Sequence, residues 1–124
     1  MRKFASVFGT LILALTAMSC GGAGITGTGG CPAGTFCMTS STFTPTTRMV
    51  TVGSTVTWQN ASGVIHNIVW NDATARAAAG AGDGTGDMPN FGSGSHTRVF
   101  KTAGTYGFHC TIHAPGMVGT LTVQ

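Results

Sequence analysis

From residue 31 onward, apolar and polar positions alternate over short runs, and no 3.6-residue period persists long enough to suggest a buried helix. Val56 and Trp58 alternate with Thr55 and Thr57. Tyr106, Phe108 and Cys110 fall on one face of a second run, so Cys110 is expected to point the same way as two aromatic rings. Runs of this kind occupy residues 48–52, 55–60, 65–70, 96–101, 105–110 and 118–123, with turn residues at 53–54, 60–63 and 103–104 between some of them. Short strands at that spacing predict an all-β fold, an antiparallel sandwich or barrel. Residues 71–95 break the rhythm. The stretch DATARAAA at 72–79 can form a short helix capped by Asn71 or Asp72, but residues 80–86 are too rich in glycine to continue it. A long surface loop with a short helix is expected there, and no internal repeat is found.

The start of the chain follows a different pattern. Arg2 and Lys3 precede an uncharged run from Phe4 to Ala17 that ends in small residues before Cys20. A basic start, an apolar centre of about 14 residues and a small-residue exit describe a secretory signal rather than a membrane-spanning helix, which needs ~20 apolar residues. Residues 1–19 are therefore expected to be removed. Cleavage before Cys20 suits either ordinary signal peptidase, with a free periplasmic or secreted product, or lipid attachment. LTAMSC at 15–20 resembles a bacterial lipobox with Ala17 where that motif usually has Leu. The following GGAGITGTGG at 21–30 is the composition of a flexible tether, which favours a lipoprotein anchored through Cys20. This divides the chain into a signal peptide at 1–19, a tether at 20–30 and one domain at 31–124.

Charge narrows the chemistry. The only acidic residues are Asp72, Asp83 and Asp87, and 7% of the chain is charged. That excludes a carboxylate-pair hydrolase, an acidic calcium loop and a charge-laced helical bundle. Removal of Arg2 and Lys3 leaves Lys+Arg at 4 against 3 acids, so nucleic acid is a poor partner.

The chemistry that remains is concentrated near the carboxy terminus, in YGFHCTIHAPGM at 106–117. A strand end delivers Cys110, a short loop delivers His113 and Met117, and His66 on an earlier strand offers a second imidazole. Two imidazoles, a thiolate and a weak thioether are the donor set of a blue-copper electron-transfer centre. Thiolate and thioether suit Cu(I), imidazole suits both oxidation states, and a compromise geometry limits rearrangement when the electron moves. Each residue alone reads more simply, as a strand-end histidine, a buried thiol or a core methionine. It is their joint spacing that points to copper.

From about residue 43 to 123 the chain resembles the cupredoxins, the small type 1 copper proteins of the plastocyanin, pseudoazurin and amicyanin group. The resemblance rests on MVTVGSTVTWQN at 49–60, the His66-Asn67 step, the Gly104-Thr105-Tyr106 turn and the Cys-x-x-His-x-x-x-Met loop. It implies a Greek-key β-sandwich or barrel of about 7–8 strands binding one copper ion that cycles between Cu(II) and Cu(I). By the same resemblance His66, Cys110 and His113 are equatorial ligands, Met117 is axial, and Asn67 ties the two ligand-bearing segments together beside the thiolate. The gap between His113 and Met117 is intermediate between amicyanin and plastocyanin lengths. His109 stands where plastocyanins carry a tyrosine serving a remote docking site, so that route is not carried over. His109 and His96 are expected to face solvent.

The resemblance further implies a monomeric one-electron carrier that meets redox proteins near His113, on an apolar patch to which Ala114, Pro115, Gly116, Met88, Pro89 and Phe91 could contribute. No enzymatic activity is expected. A copper oxidase or nitrite reductase would need His-x-His pairs, and a binuclear electron-entry centre would need a second loop cysteine; the chain has neither. Copper storage or delivery, or electron entry into a larger copper oxidoreductase complex, are the competing readings. Cys31 and Cys37, close in sequence in an exported protein, are expected to form a local disulfide; a second metal site there would lack nearby histidines and acids. With Cys110 at the copper, Cys20 is left for lipid. Mass spectrometry of the mature protein should find Cys20 at the amino terminus carrying acyl chains, and an unmodified Cys20 would overturn the anchor.

Overall fold

A computed structural model describes residues 31–124; the signal, tether and Cys20 lipidation sites expected above lie outside these described residues. Ten strands and one helix follow in the order β1 (Thr35–Met38), β2 (Phe43–Thr44), β3 (Thr47–Val50), β4 (Thr55–Asn60), β5 (His66–Trp70), α1 (Ala73–Ala78), β6 (Gly80–Gly82), β7 (Met88–Phe91), β8 (Gly94–Val99), β9 (Gly104–His109) and β10 (Val118–Val123). They form two five-stranded sheets, β2-β1-β4-β8-β6 and β3-β10-β9-β5-β7, packed as a sandwich. Most pairings are antiparallel, as the sequence pattern suggests, but β1 runs parallel to β4 and β3 parallel to β10. These pairings join strands distant in sequence, which local alternation cannot reveal.

Period-two alternation supplies the core. Val56, Trp58 and Asn60 of β4 point inward, as do Ile68 and Trp70 of β5, Tyr106 and Phe108 of β9, and Leu121 and Val123 of β10. Phe36 stacks on Trp58 at 5.4 Å, while Phe108 meets Phe36, Phe43, Trp58 and Trp70 edge-on at 5.0 to 5.5 Å. Gly119 lies opposite Phe108 on β10, and a Cβ there would drive into the Phe108 ring. A glycine in this strand is therefore what lets the ring seat against the backbone.

The excursion at 71–95 is more structured than its composition suggests. Asp72 caps α1 by accepting from the Ala75 amide at 2.7 Å, and β6 and β7 follow as short edge strands. Asp87 accepts from the Trp70 amide at 3.0 Å and from Arg76 Nε at 2.9 Å. Arg98, only 2% exposed, donates to Asp83 Oδ1 at 2.7 Å and to the carbonyls of Gly86, Thr97 and Asp87. All three carboxylates of the chain are thus consumed in holding this segment to the sandwich. His96 is half-buried, bonded to Asp83 Oδ2 at 3.0 Å and edge-on to Phe91, rather than facing open solvent. At the domain entry Cys31 and Cys37 are joined by a disulfide.

Burial alone would raise the Asp83 carboxyl, but the Thr97 amide, His96 and Arg98 outweigh it and hold the group below its ordinary range. A carboxylate depressed in the folded state contributes stability above its unfolded pKa of ~3.9 and loses it as pH falls through the folded value. Asp83→Asn should cost about 1 to 2 kcal/mol at neutral pH by urea denaturation, less than a fully buried pair because the carboxylate is itself partly exposed. The gap between variant and wild type should close below pH 4; a gap that persists there would rule out the charge as its cause.

Candidate metal centre

The pairing of β5 with β9 builds the site. Val69 lies opposite His109 and Trp70 opposite Phe108, and because the strands are antiparallel the register extends to set Asn67 opposite Thr111. The side chains show that extension: the Thr111 amide donates to Asn67 Oδ1 at 2.9 Å, and Asn67 Nδ2 donates to Thr111 Oγ1 at 2.7 Å and Asn90 Oδ1 at 3.1 Å. His66 at the start of β5 and Cys110 just past the end of β9 are therefore brought to the same end of the sandwich. The β9–β10 ladder also continues past the strands, since the Cys110 amide donates to the Met117 carbonyl at 3.0 Å. Within the loop this closes, the Met117 amide donates to the His113 carbonyl at 3.2 Å.

These constraints converge three donor atoms. Cys110 Sγ stands 3.8 Å from His66 Nδ1 and 3.6 Å from His113 Nδ1, and the potential ligand atoms of the three residues all lie within 4.8 Å of one another. Nitrogen and sulfur donors ~2.0 to 2.3 Å from a shared ion in a trigonal arrangement stand about 3.5 to 4 Å apart, so the spacing suits one metal. His66, Cys110 and Met117 are fully buried, and His113 is half-exposed. Among the described residues this is the one group of three or more His, Cys or acidic side chains placed to hold an ion. A soft thiolate with two imidazoles, and a buried methionine closing the same loop, is a donor set that fits copper.

Burial, aided by the neighbouring His113, pushes the His66 pKa below its ordinary value, while a hydrogen bond with the Thr39 backbone opposes the shift. A lowered pKa keeps the imidazole neutral, the form in which a ring nitrogen can bind a metal. Two surface clefts, one lined by Cys37, Thr39, Gln59 and Ser62 among others and one by Ala77, Ala78, Gly80 and Ala81 with Val99 and Lys101, contain none of the four candidate ligands.

Around the donors, Ile112 and Ile65 are exposed at 45% and 54%, and Ala114, Pro115 and Gly116 are also exposed. Met88 is not available to any surface patch. It is 1% exposed in the core, because inward alternation on β7 turns it away from solvent while Pro89 faces out. His109 Nδ1 lies 2.7 Å from Asn71 Oδ1, on the partly exposed face opposite to Cys110. Two residues were given no role at the site from sequence: Asn60, placed at the end of the 55–60 strand and in the following turn, and Ser62, placed in that turn, stand behind His66, with Ser62 Oγ 3.3 Å from His66 Nε2. Their signal was a pair of polar turn residues shortly before the histidine, one of them at an inward position of β4.

Comparison with known proteins agrees with this geometry. Residues 36–124 match the family model described as copper binding proteins of the plastocyanin/azurin family. A plastocyanin of Scenedesmus fuscus is 40% identical over 84 residues, covering 66% of this chain and 86% of its own. A chloroplastic plastocyanin of Tetradesmus obliquus is 39% identical over 84 residues, covering 66% of this chain and 58% of its own. Among solved structures, a reduced amicyanin mutant superposes with a TM-score of 0.58 at 27% identity, over 73% of this chain and 80% of that one. A purple cupredoxin of Nitrosopumilus maritimus gives 0.58 at 25% identity, over 73% and 98%. With the donor geometry, the sandwich and a family match spanning nearly all the described residues in agreement, the chain belongs to the plastocyanin/azurin family of copper-binding proteins.

Proposed function

We propose that the protein is an exported one-electron carrier that holds a single copper ion at His66, Cys110, His113 and Met117. The observation that carries this reading is the convergence of His66 Nδ1, His113 Nδ1 and Cys110 Sγ beside a loop closed by Met117. Copper supplies the redox chemistry by cycling between Cu(II) and Cu(I). The chain supplies a site that moves little between the two: β5, β9 and β10 fix the donors through backbone ladders, and Asn67 clamps β5 to the residue after Cys110. Burial of His66, Cys110 and Met117 restricts ligand exchange, which favours a retained cofactor over ion storage or delivery.

His113 is the half-exposed ligand, and the edge of its ring is the proposed point of electron entry and exit. The apolar residues Ile112, Ala114, Pro115 and Gly116 beside it form the surface on which a redox partner docks. Asp72, Asp83 and Asp87 are engaged in the 70–98 segment, so docking draws little on carboxylates, and transfer rates should vary only weakly with ionic strength. Support for export comes from the basic and apolar leader at 1–19. Cys20 followed by the glycine-rich stretch supports a lipid-anchored periplasmic form in which the domain at 31–124 reaches its partners on the tether.

Addition of Cu(II) to the purified protein, followed by visible and electron paramagnetic resonance spectroscopy, tests the site. An intense thiolate charge-transfer band with a compressed copper hyperfine splitting is expected; a colourless, ordinary tetragonal signal would sink the assignment. Cys110→Ser should abolish the band. Met117→Gln should retain the ion and lower the reduction potential.

A further inference from the structure

The turn before β5 contains a hydrogen-bond chain whose direction can be assigned from donor and acceptor counts. Asn60, 2% exposed at the inward end of β4, donates both protons of Nδ2, to the Val64 carbonyl at 2.8 Å and the Phe91 carbonyl at 2.8 Å. Those two bonds fix which end of the amide is nitrogen, so Oδ1 is left to accept. It does so twice, from the Ser62 amide at 3.1 Å and from Ser62 Oγ at 2.8 Å. A hydroxyl has one proton and two lone pairs, and the Ser62 proton is spent on Asn60. One lone pair takes the Val64 amide at 3.1 Å. The other faces His66 Nε2 at 3.3 Å.

Having no proton left, Ser62 can only accept from His66. The Nε2 atom must then carry the ring proton, and Nδ1, on the side facing Cys110 Sγ and His113, keeps its lone pair. The reverse assignment would leave the Ser62 and Asn60 oxygens 2.8 Å apart with no proton between them, and would aim an Nδ1 proton into the donor triangle.

We propose that Asn60 and Ser62 are positioning residues for the metal centre: together they lock His66 in the Nε2–H tautomer and hold its ring so that Nδ1 is presented to the ion. This rests on the copper reading above and adds to it two side chains that, alongside the hydrogen bond of His66 with the Thr39 backbone, set which nitrogen binds. The same chain also couples β7 to the site, because the Phe91 carbonyl that orients Asn60 belongs to the strand paired with the start of β5. Hydrogen-bond partners of this kind typically change metal affinity 10- to 100-fold when removed.

The test uses the full chain labelled with nitrogen-15, first without added metal, then loaded with Cu(I) for the nitrogen spectra and with Cu(II) for the visible spectrum. Long-range proton–nitrogen correlation spectra of the wild type should show His66 as the Nε2–H tautomer in the metal-free protein; an Nδ1–H tautomer would overturn the proposal without need of any variant. Ser62→Ala should exchange the Nε2 proton at least tenfold faster, bind copper 10- to 100-fold more weakly in a competition titration, and shift the charge-transfer band. Ser62→Thr, which retains the hydroxyl, should restore all three. Wild-type exchange and affinity in a folded Ser62→Ala protein would refute the relay. A wild type lacking thiolate–copper colour but showing the Nε2–H tautomer would count against the copper reading alone, so the two failures are distinguishable.

Discussion

The arrangement of the whole site depends on the register between β5 and β9. A strand alternates its faces residue by residue, so a slip of one position would turn His66 or Cys110 out of the core and separate their donor atoms. The register is enforced from both ends. In the core, Ile68 and Trp70 of β5 and Phe108 of β9 are fully buried in one hydrophobic cluster, with Trp70 edge-on to Phe108. At the rim, Asn67 spans the two strands to both the amide and the hydroxyl of Thr111. Hydrophobic packing therefore selects the register, and a polar clamp fixes its last step.

The two ends of the sandwich divide the polar chemistry between them. Charged groups are few, and five of the seven Asp, Lys and Arg side chains among the described residues work on the 70–98 segment, where Asp72 caps the helix, Asp87 joins β5 to Arg76, and Asp83 compensates the buried Arg98. None of these pairs is a source of reactivity; each satisfies a backbone or guanidinium donor that would otherwise be stranded. The donor end uses uncharged amides and hydroxyls instead, from Asn60, Ser62, Asn67, Asn90 and Thr111. Neutral partners can orient imidazoles and a thiolate without adding a fixed charge beside a centre whose own charge changes by one.

Legibility in the sequence followed the range of the interactions involved. The strands at 55–60 and 118–123 are found with the bounds their alternation suggests, because Val56, Trp58, Leu121 and Val123 mark one face without ambiguity. Cys110 could be placed on the face of Tyr106 and Phe108 for the same reason. The short strands β1, β2, β6 and β7 escaped, being two to four residues long and dependent on partners for their definition. Glycines dominate β6, and β7 contains a proline, so neither reads as a strand from its own residues. Met88 illustrates the remaining ambiguity: beside a proline in a polar stretch it looked like surface, yet one inward position on a short strand buries it. The gathering of His66 with the loop residues was suggested by donor type and spacing, whereas Asn60 and Ser62 were indistinguishable from ordinary turn residues. Their importance depends on which atoms face which, and that is a property of the folded turn alone.

Three supports approach the donors from different directions. The β9–β10 ladder, extended by the bond from Cys110 to Met117, fixes the thiolate and closes the loop that bears His113. Asn67 holds the strand bearing His66 against the residue after the thiolate, and the turn at 60–64 holds the far side of the His66 ring. Only the first uses backbone pairing that any sequence could make; the other two require specific side chains. Crowding two imidazoles and a sulfur within a few ångströms while excluding water carries a desolvation cost, visible in the lowered His66 pKa. That cost is met by the aromatic core below rather than by the loop itself, since Ile112, Ala114, Pro115 and Gly116 stay exposed and bury too little surface to offset it. The donor geometry is therefore a property of the sandwich, and it follows that core substitutions around Phe108 act on the metal centre through the same strand that ends in Cys110.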